Sequence, residues 1–323
     1  MKALSLFSGG LDSILSVKII EQQHVDVIGI FFETLFFTSE KAAQSANYIG
    51  LPLQVIDITH RFLPIVLSPQ HGHGKGLNPC IDCHKLMIEI AGEMLNEKGA
   101  DFLISGEVLG QRPMSQNLRS LSLISHDSGF KDLILRPLSA KRLPETLPEK
   151  KGWIRREKLL GLSGRSRKPQ IELAKKFGIK EYPSPAGGCL LTDIVFSRRL
   201  QDLLIHNPAF SRRDIELLKW GRHFRLNERV KIIVGRNQKE NEIITSLIDA
   251  ADTVLVVESF PGPTILAKGN LSYEEIKVAA SIAVSYSDAA AYKPVLVRLA
   301  RDSLHWNVLA RRTKKSNFQH LMI

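Results

Sequence analysis

Lys2-Ala3-Leu4-Ser5-Leu6-Phe7 runs into Ser8-Gly9-Gly10-Leu11-Asp12-Ser13, and then into Ile14, Leu15, Val17, Lys18, Ile19 and Ile20 at helical spacing. The first six residues form an apolar run of strand type and the last set a helix, so the glycines lie between a strand and a helix N-terminus. Glycines there let backbone N–H groups approach an anion without a Cβ in the way. Ser8 and Ser13 add hydroxyl donors, and the helix dipole favours negative charge. The stretch reads as a phosphate loop. An ordinary strand-to-helix turn capped by Asp12 would use similar residues, but the strand and the helix frame this motif closely.

The spacing excludes the G-x-x-x-x-G-K-[ST] loop of kinases and GTPases, and it excludes the G-x-G-x-x-G dinucleotide turn. Ser8-Gly9-Gly10-Leu11-Asp12-Ser13 resembles the pyrophosphate loop of the PP-loop ATP pyrophosphatases (adenine nucleotide alpha hydrolase-like). The resemblance implies ATP and Mg2+, bound through Ser8, Gly9, Gly10, Asp12 and Ser13.

Outward from the loop, the chain alternates strand and helix signals. Val25 to Phe32 is an apolar run of buried-strand type, with Glu33 and Thr34 at its ligand edge, where adenosine is expected. Ser39 to Ile49 reads as a helix and Leu53 to Asp57 as a strand. His60 to Pro79 reads as a long loop that ends in Asn78 to His84, and a helix follows to about Lys98. Ala100 to Gly106 and Leu133 to Leu138 read as strands. The alternation predicts an α/β fold with a doubly wound parallel sheet. Residues 1–195 are expected to be this catalytic domain, and 196–225 a basic helical connector. Residues 226–323 are expected to be a smaller C-terminal α+β domain ending in a disordered basic tail.

The chain has 323 residues, of which 44% are hydrophobic, enough for two cores. No stretch reaches the length of a membrane span. Met1 runs straight into the strand and leaves no room for a leader, so the expected location is cytoplasmic with no membrane partner. The net charge is +11, and residues 141–225 alone carry 20 Lys and Arg against 9 Asp and Glu. A basic concentration of this kind is either a solvated surface or the footprint of a phosphate-backbone partner. Beside an ATP loop, RNA is the expected partner.

Cys80 and Cys83 form a C-x-x-C, and Cys189 is the third and last cysteine. Three cysteines are too few for a disulfide framework in the cytoplasm. With His84, His71 or His73 they could hold a structural zinc. Alternatively, three thiolates beside an ATP site suit sulfur transfer, through a persulfide or on an iron–sulfur cluster with one open iron.

The loop, Asn78-Pro79-Cys80-Ile81-Asp82-Cys83-His84, Gly106-Glu107-Val108-Leu109-Gly110-Gln111 and Gly187-Gly188-Cys189 together resemble the PP-loop tRNA thiolation enzymes. These are the tRNA 2-thiouridylases and the tRNA 4-thiouridine synthetases. The resemblance covers about residues 1–195. It implies sulfur chemistry at Cys80 and Cys189, with Cys83 matching the third cysteine of cluster-binding members. The chain departs from the 2-thiouridylase pattern at His84, where that pattern has Asn, and at Leu190, which replaces an aromatic. It also lacks the C-terminal barrel, so the target nucleoside stays open.

Val234-Gly235-Arg236-Asn237, Lys239-Glu240-Asn241, Phe260-Pro261-Gly262 and Ala283 to Ser287 resemble the NFACT-R domain, an RNA-binding module. Val257 and Glu258 replace its usual aromatic and His.

The resulting expectation is an ATP-dependent tRNA sulfurtransferase with Asp12, Cys80 and Cys189 as catalytic residues. Cys80, Cys83 and Cys189 are expected to converge on a [4Fe-4S] cluster, with Zn2+ as the alternative metal and a persulfide relay as the alternative chemistry. Its partners are tRNA and a sulfur donor, either a persulfide carrier or sulfide. The alternative functions are a PP-loop amidotransferase or lysidine-type ligase with structural zinc, and a non-catalytic tRNA- or ribosome-binding factor.

Overall fold

In the computed structural model, which describes residues 1–184, 189–290 and 293–323, β1 (Lys2–Leu6) lies at the centre of a five-stranded sheet. Its Ala3 and Leu4 are fully buried, which suits a strand covered on both faces. α1 (Leu11–Glu21), β2 (Asp26–Glu33), α2 (Glu40–Ile49), β3 (Leu53–Asp57), α3 (Thr59–Leu67), α4 (Cys80–Glu93), α5 (Leu95–Lys98) and β4 (Phe102–Ser105) follow. The first unit continues with α6 (Leu118–Asp127), β5 (Ile134–Leu135), α7 (Leu147–Lys150) and α8 (Lys168–Lys176). All five strands are parallel, in the order β3-β2-β1-β4-β5, with Leu4 paired to both Ile28 and Leu103.

This order decides where a ligand can go. From β1 the chain builds β2 and β3 on one side, then returns to build β4 and β5 on the other. A crevice therefore opens at the C-terminal ends of β1 and β4. The phosphate loop follows β1, and Gly106 and Glu107 follow β4. The two segments touch: a Cβ added to Gly106 would fall 2.6 Å from the Ser13 backbone nitrogen.

Two expectations for this unit need correction. The long loop after residue 59 contains α3, in which Phe62 and Val66, one turn apart, are both buried; Pro64 inside the helix obscured the pattern. β5 is only two residues long, because Arg136 turns inward to a buried carboxylate and Pro137 ends the ladder.

The chain divides into Met1–Thr192 and Asp193–Ile323. The second unit comprises α9 (Ile194–His206), α10 (Arg212–Leu217), β6 (Arg222–Arg225), β7 (Lys231–Val234), α11 (Gln238–Ser246) and β8 (Thr253–Val257). β9 (Ile265–Lys268), α12 (Tyr273–Ser285), β10 (Val295–Arg301) and β11 (Leu304–Ala310) complete it. Its six strands form an antiparallel sheet, β11-β10-β8-β9-β7-β6, whose core joins Phe224, Ile232, Leu255, Val297 and Leu299 to Ala279 and Ala283 of α12.

The basic helices expected to be a connector are part of this second unit. Asp202 of α9 binds Arg225 at 2.6 Å and Lys231 at 3.0 Å, Asp214 of α10 binds Lys268, and Arg213 binds Asp252. Arg199 is buried and donates to the carbonyls of Leu218 at 2.8 Å and Gly221 at 2.9 Å, so its charge is spent inside the protein. The tail expected to be disordered is also held. Within Arg311 to Lys315, Arg312 donates to the Ala289 carbonyl at 3.0 Å, Thr313 N–H donates to Ser285 Oγ at 3.0 Å, and the Arg311 carbonyl accepts from Ser281 Oγ at 3.1 Å; beyond it Phe318 is buried and Ile323 N–H donates to the His223 carbonyl.

Candidate active site

The phosphate loop is braced from within. Gly9 has φ +74° and packs so closely on α2 that an added Cβ would lie 2.6 Å from Ala42 Cα; glycine is required there on both counts. Ser45 Oγ donates to the Gly9 carbonyl at 2.8 Å, and Ser13 Oγ to the Gly10 carbonyl at 2.8 Å. Ser8 Oγ donates to Ser13 Oγ at 3.3 Å and accepts from Gly10 N–H at 3.4 Å. α1 has no side-chain cap, so its first-turn N–H groups keep their capacity for an anion.

Asp12 occupies that first turn. Its Oδ2 accepts from Gln111 Nε2 at 2.6 Å, while its Oδ1 is buried without a hydrogen-bond partner. An open anionic oxygen at a phosphate loop fits a hard divalent cation such as Mg2+. At the end of β2, Glu33 accepts from the N–H and hydroxyl of Ser39, both at 2.9 Å, and Thr34 pairs with Phe37.

The cysteines are gathered by α4 and by the segment that leads out of the first unit. Cys80 is the first residue of α4, and the Asn78 amide donates to its sulfur at 3.1 Å. Cys83 lies one turn on. It keeps some surface, but burial pushes its thiol well above the usual range, and the neighbouring Cys189, Cys80 and Asp82 push it further. Burial likewise takes the Cys189 thiol to about 11. The backbone N–H groups of Leu191 and Thr192 oppose that rise, Cys80 adds to it, and Arg112 opposes it. The three sulfurs therefore share one electrostatic environment, although Cys189 is remote in sequence. The turn expected to present Cys189, Gly187-Gly188, lies outside the described residues.

The histidines considered as zinc ligands are engaged elsewhere. His71 Nδ1 meets Asp82 at 2.8 Å, His73 Nε2 meets the Val66 carbonyl at 2.9 Å, and His84 Nδ1 meets Glu107 at 2.8 Å. Among the described residues, no group of three or more His, Cys, Asp or Glu side chains is placed to hold a metal ion. A trio of thiols suits a cluster in donor chemistry.

Several site residues carried too little sequence signal to be assigned roles. Glu107 is buried at the end of β4 and accepts from Arg136 Nε at 2.8 Å, from Ser105 at 3.0 Å and from His84. Burial alone would raise its pKa; the Arg136 charge and the His84 hydrogen bond outweigh that and hold it at about 2. The clue was Arg136, a charge inside an apolar strand run that had to find a counter-ion. Gln111 falls at the ligand edge of the sheet, in the segment that follows β4. Gln170, buried on α8 and donating to Gln111 Oε1 at 2.9 Å, left no trace in the sequence pattern.

Comparison with known proteins gives each unit a relative. Residues 1–142 match the family profile described as thiamine biosynthesis protein (ThiI), and residues 221–322 match the NFACT protein RNA binding domain. The chain resembles PP-loop tRNA thiolation enzymes in its first unit and NFACT RNA-binding domains in its second.

A tRNA-specific 2-thiouridylase of Pelobacter propionicus is 25% identical over 156 residues, covering 44% of this chain and 43% of the relative. One from Clostridium botulinum is 31% identical over 112 residues, covering 31% of this chain and 32% of the relative. The chain thus spans less than half the length of these curated relatives. The solved structure of a predicted subunit of tRNA methyltransferase from Methanocaldococcus jannaschii is 18% identical with a TM-score of 0.35, covering 55% of this chain and 76% of that one. No helix among the described residues is long and apolar enough to cross a membrane.

Proposed function

We propose that this protein is a cytoplasmic, ATP-dependent tRNA sulfurtransferase that replaces a uridine carbonyl oxygen with sulfur. One observation carries the reading: the segment after β4 reaches both halves of the chemistry. Gln111 holds Asp12 of the phosphate loop, Arg112 acts on Cys189, and Met114 lies 3.8 Å from the Asn78 amide that contacts Cys80. These contacts support a reading in which nucleotide and thiols share one crevice.

In this reading the loop from Ser8 to Ser13 binds the ATP phosphates. Asp12 would hold the Mg2+, which would supply charge to offset that of the phosphates. The uridine oxygen attacks the α-phosphorus and pyrophosphate leaves. An amide-like oxygen is a poor leaving group until it becomes part of a phosphate ester. The donor's sulfur arrives as a persulfide on Cys80, whose inner sulfur sits at the Asn78 amide. Its terminal sulfur attacks the activated carbon and AMP departs. Cys189 then attacks the Cys80 sulfur, freeing the thiocarbonyl and leaving a Cys80–Cys189 disulfide for an external thiol to reopen. With a pKa of about 11, Cys189 must lose its proton as it attacks.

The NFACT match of the second unit supports RNA as the partner, and the basic charge supports it too, except for Arg199, Arg213 and Arg225, whose charges are taken up inside the unit. Replacing Asp12 with Ala should abolish tRNA-dependent pyrophosphate release while leaving the fold intact, because the change removes a ligand and creates no core cavity. Wild-type release from that variant would sink the ATP assignment. Iron and sulfide analysis of anaerobically prepared protein distinguishes the persulfide route from a cluster held by Cys80, Cys83 and Cys189.

A further inference from the structure

The hydrogen bonds around Asp12 fix one another's direction. A carboxylate only accepts, so Gln111 must turn its NH2 group toward Asp12 Oδ2. Its own Oε1 then faces Gln170, which must answer with its NH2 group, as the 2.9 Å contact from Nε2 records. That leaves Gln170 Oε1 buried with no partner on a side chain only 1% exposed. The chain of amides thus ends in two unpaired acceptors, Asp12 Oδ1 at one end and Gln170 Oε1 at the other. An unpaired buried acceptor is costly, so a helix that carries one calls for a reason. α8 packs against α1, so Gln170 stands on a rigid neighbour of the phosphate loop rather than on a mobile segment.

We propose that Gln170, acting through Gln111, is a positioning residue for the nucleotide's metal. It commits Asp12 Oδ2 to an amide and keeps Oδ1 free as an anionic ligand for a divalent cation on the phosphates. Without Gln170, Gln111 still turns its NH2 group to Asp12 but loses the anchor on its Oε1, so the Asp12 carboxylate is no longer held in one position. The inference rests on the ATP reading of the loop, and it adds a residue from a helix far along the chain that none of the motifs contains.

The test is direct binding of Mn2+ with ATP to the full chain, followed by the loss of free-Mn2+ paramagnetic signal. The variants are Gln170→Met, Asp12→Asn and the two combined. Gln170→Met should weaken Mn2+–ATP binding by about tenfold and leave metal-free ATP binding unchanged. The double variant should be no weaker than Asp12→Asn alone, because both changes act on one carboxylate. Gln111→Ala, at a half-buried position, should reproduce the Gln170→Met loss if the latter folds poorly. Wild-type metal affinity in Gln111→Ala or in folded Gln170→Met would overturn the relay, as would losses that multiply in the double variant. Failure of the wild-type chain to bind Mn2+–ATP at all would remove the ATP reading and this inference together.

Discussion

Replacing Arg136 with Met tests whether the Glu107 network holds the β4 edge in place. Both side chains are nearly inaccessible, and they meet at 2.8 Å. Removing the guanidinium strands a carboxylate that His84 and Ser105 satisfy only in part. Breaking a buried pair in this way costs about 3–5 kcal/mol. The fall of the Glu107 pKa from 4.5 to about 2 gives an independent scale. It corresponds to roughly 3 kcal/mol of stability. The folded value lies below the unfolded one, so this contribution is present above pH 4.5 and is lost as pH falls toward 2. The variant should therefore be destabilised by about 3–5 kcal/mol at pH 7, and the penalty should shrink as pH is lowered through that window.

Urea unfolding can be followed by Trp153, which packs 6.4 Å from Phe102 in the first unit, with Trp220 and Trp306 replaced by Phe. An Arg136→Met penalty below about 1 kcal/mol, or one that is the same at pH 7 and pH 3, would refute the reasoning.

Two further outcomes concern the second unit. Arg199→Ala should destabilise it by about 2–4 kcal/mol, because the guanidinium is buried on two carbonyls. In salt titrations of RNA binding, the fraction that stays folded should keep the wild-type slope; a flattened slope would mean that Arg199 faces the RNA. Burial, aided by the Lys231 and Arg199 charges, holds the His223 pKa well below 6.5. The unfolded chain therefore takes up a proton that the folded chain refuses. Stability should be intact above pH 6.5 and decline below it. Replacing His223 with Phe should flatten the unfolding midpoint between pH 7 and 5, as read by Trp220 and Trp306 fluorescence.

The α/β order of the first unit was legible because its strands are short apolar runs, two of them followed by glycine at Gly9 and Gly106, and because they alternate with helical stretches. α3 escaped because Pro64 looks like a break while Phe62 and Val66 hold the helix to the core. β6 escaped because Arg222 and Arg225 flank only two buried residues, His223 and Phe224, too few for an apolar signal. The loop residues and the C-x-x-C were legible because their chemistry is local. Glu107 with Arg136, and Asp12 with Gln111 and Gln170, are pairings made across the fold, and no spacing records them. Arg199 was misread for a related reason: a count of charges does not tell which side of a helix a charge faces.

The central claim is tested most directly by incubating the full chain with unmodified tRNA, Mg2+–ATP, a persulfide donor and a reducing thiol, then digesting the tRNA and weighing its nucleosides. The account predicts a thiouridine that depends on Asp12, Cys80 and Cys189, with one AMP and one pyrophosphate released for each sulfur incorporated. Pyrophosphate release with no sulfur in the tRNA, or nitrogen incorporated in its place, would contradict it.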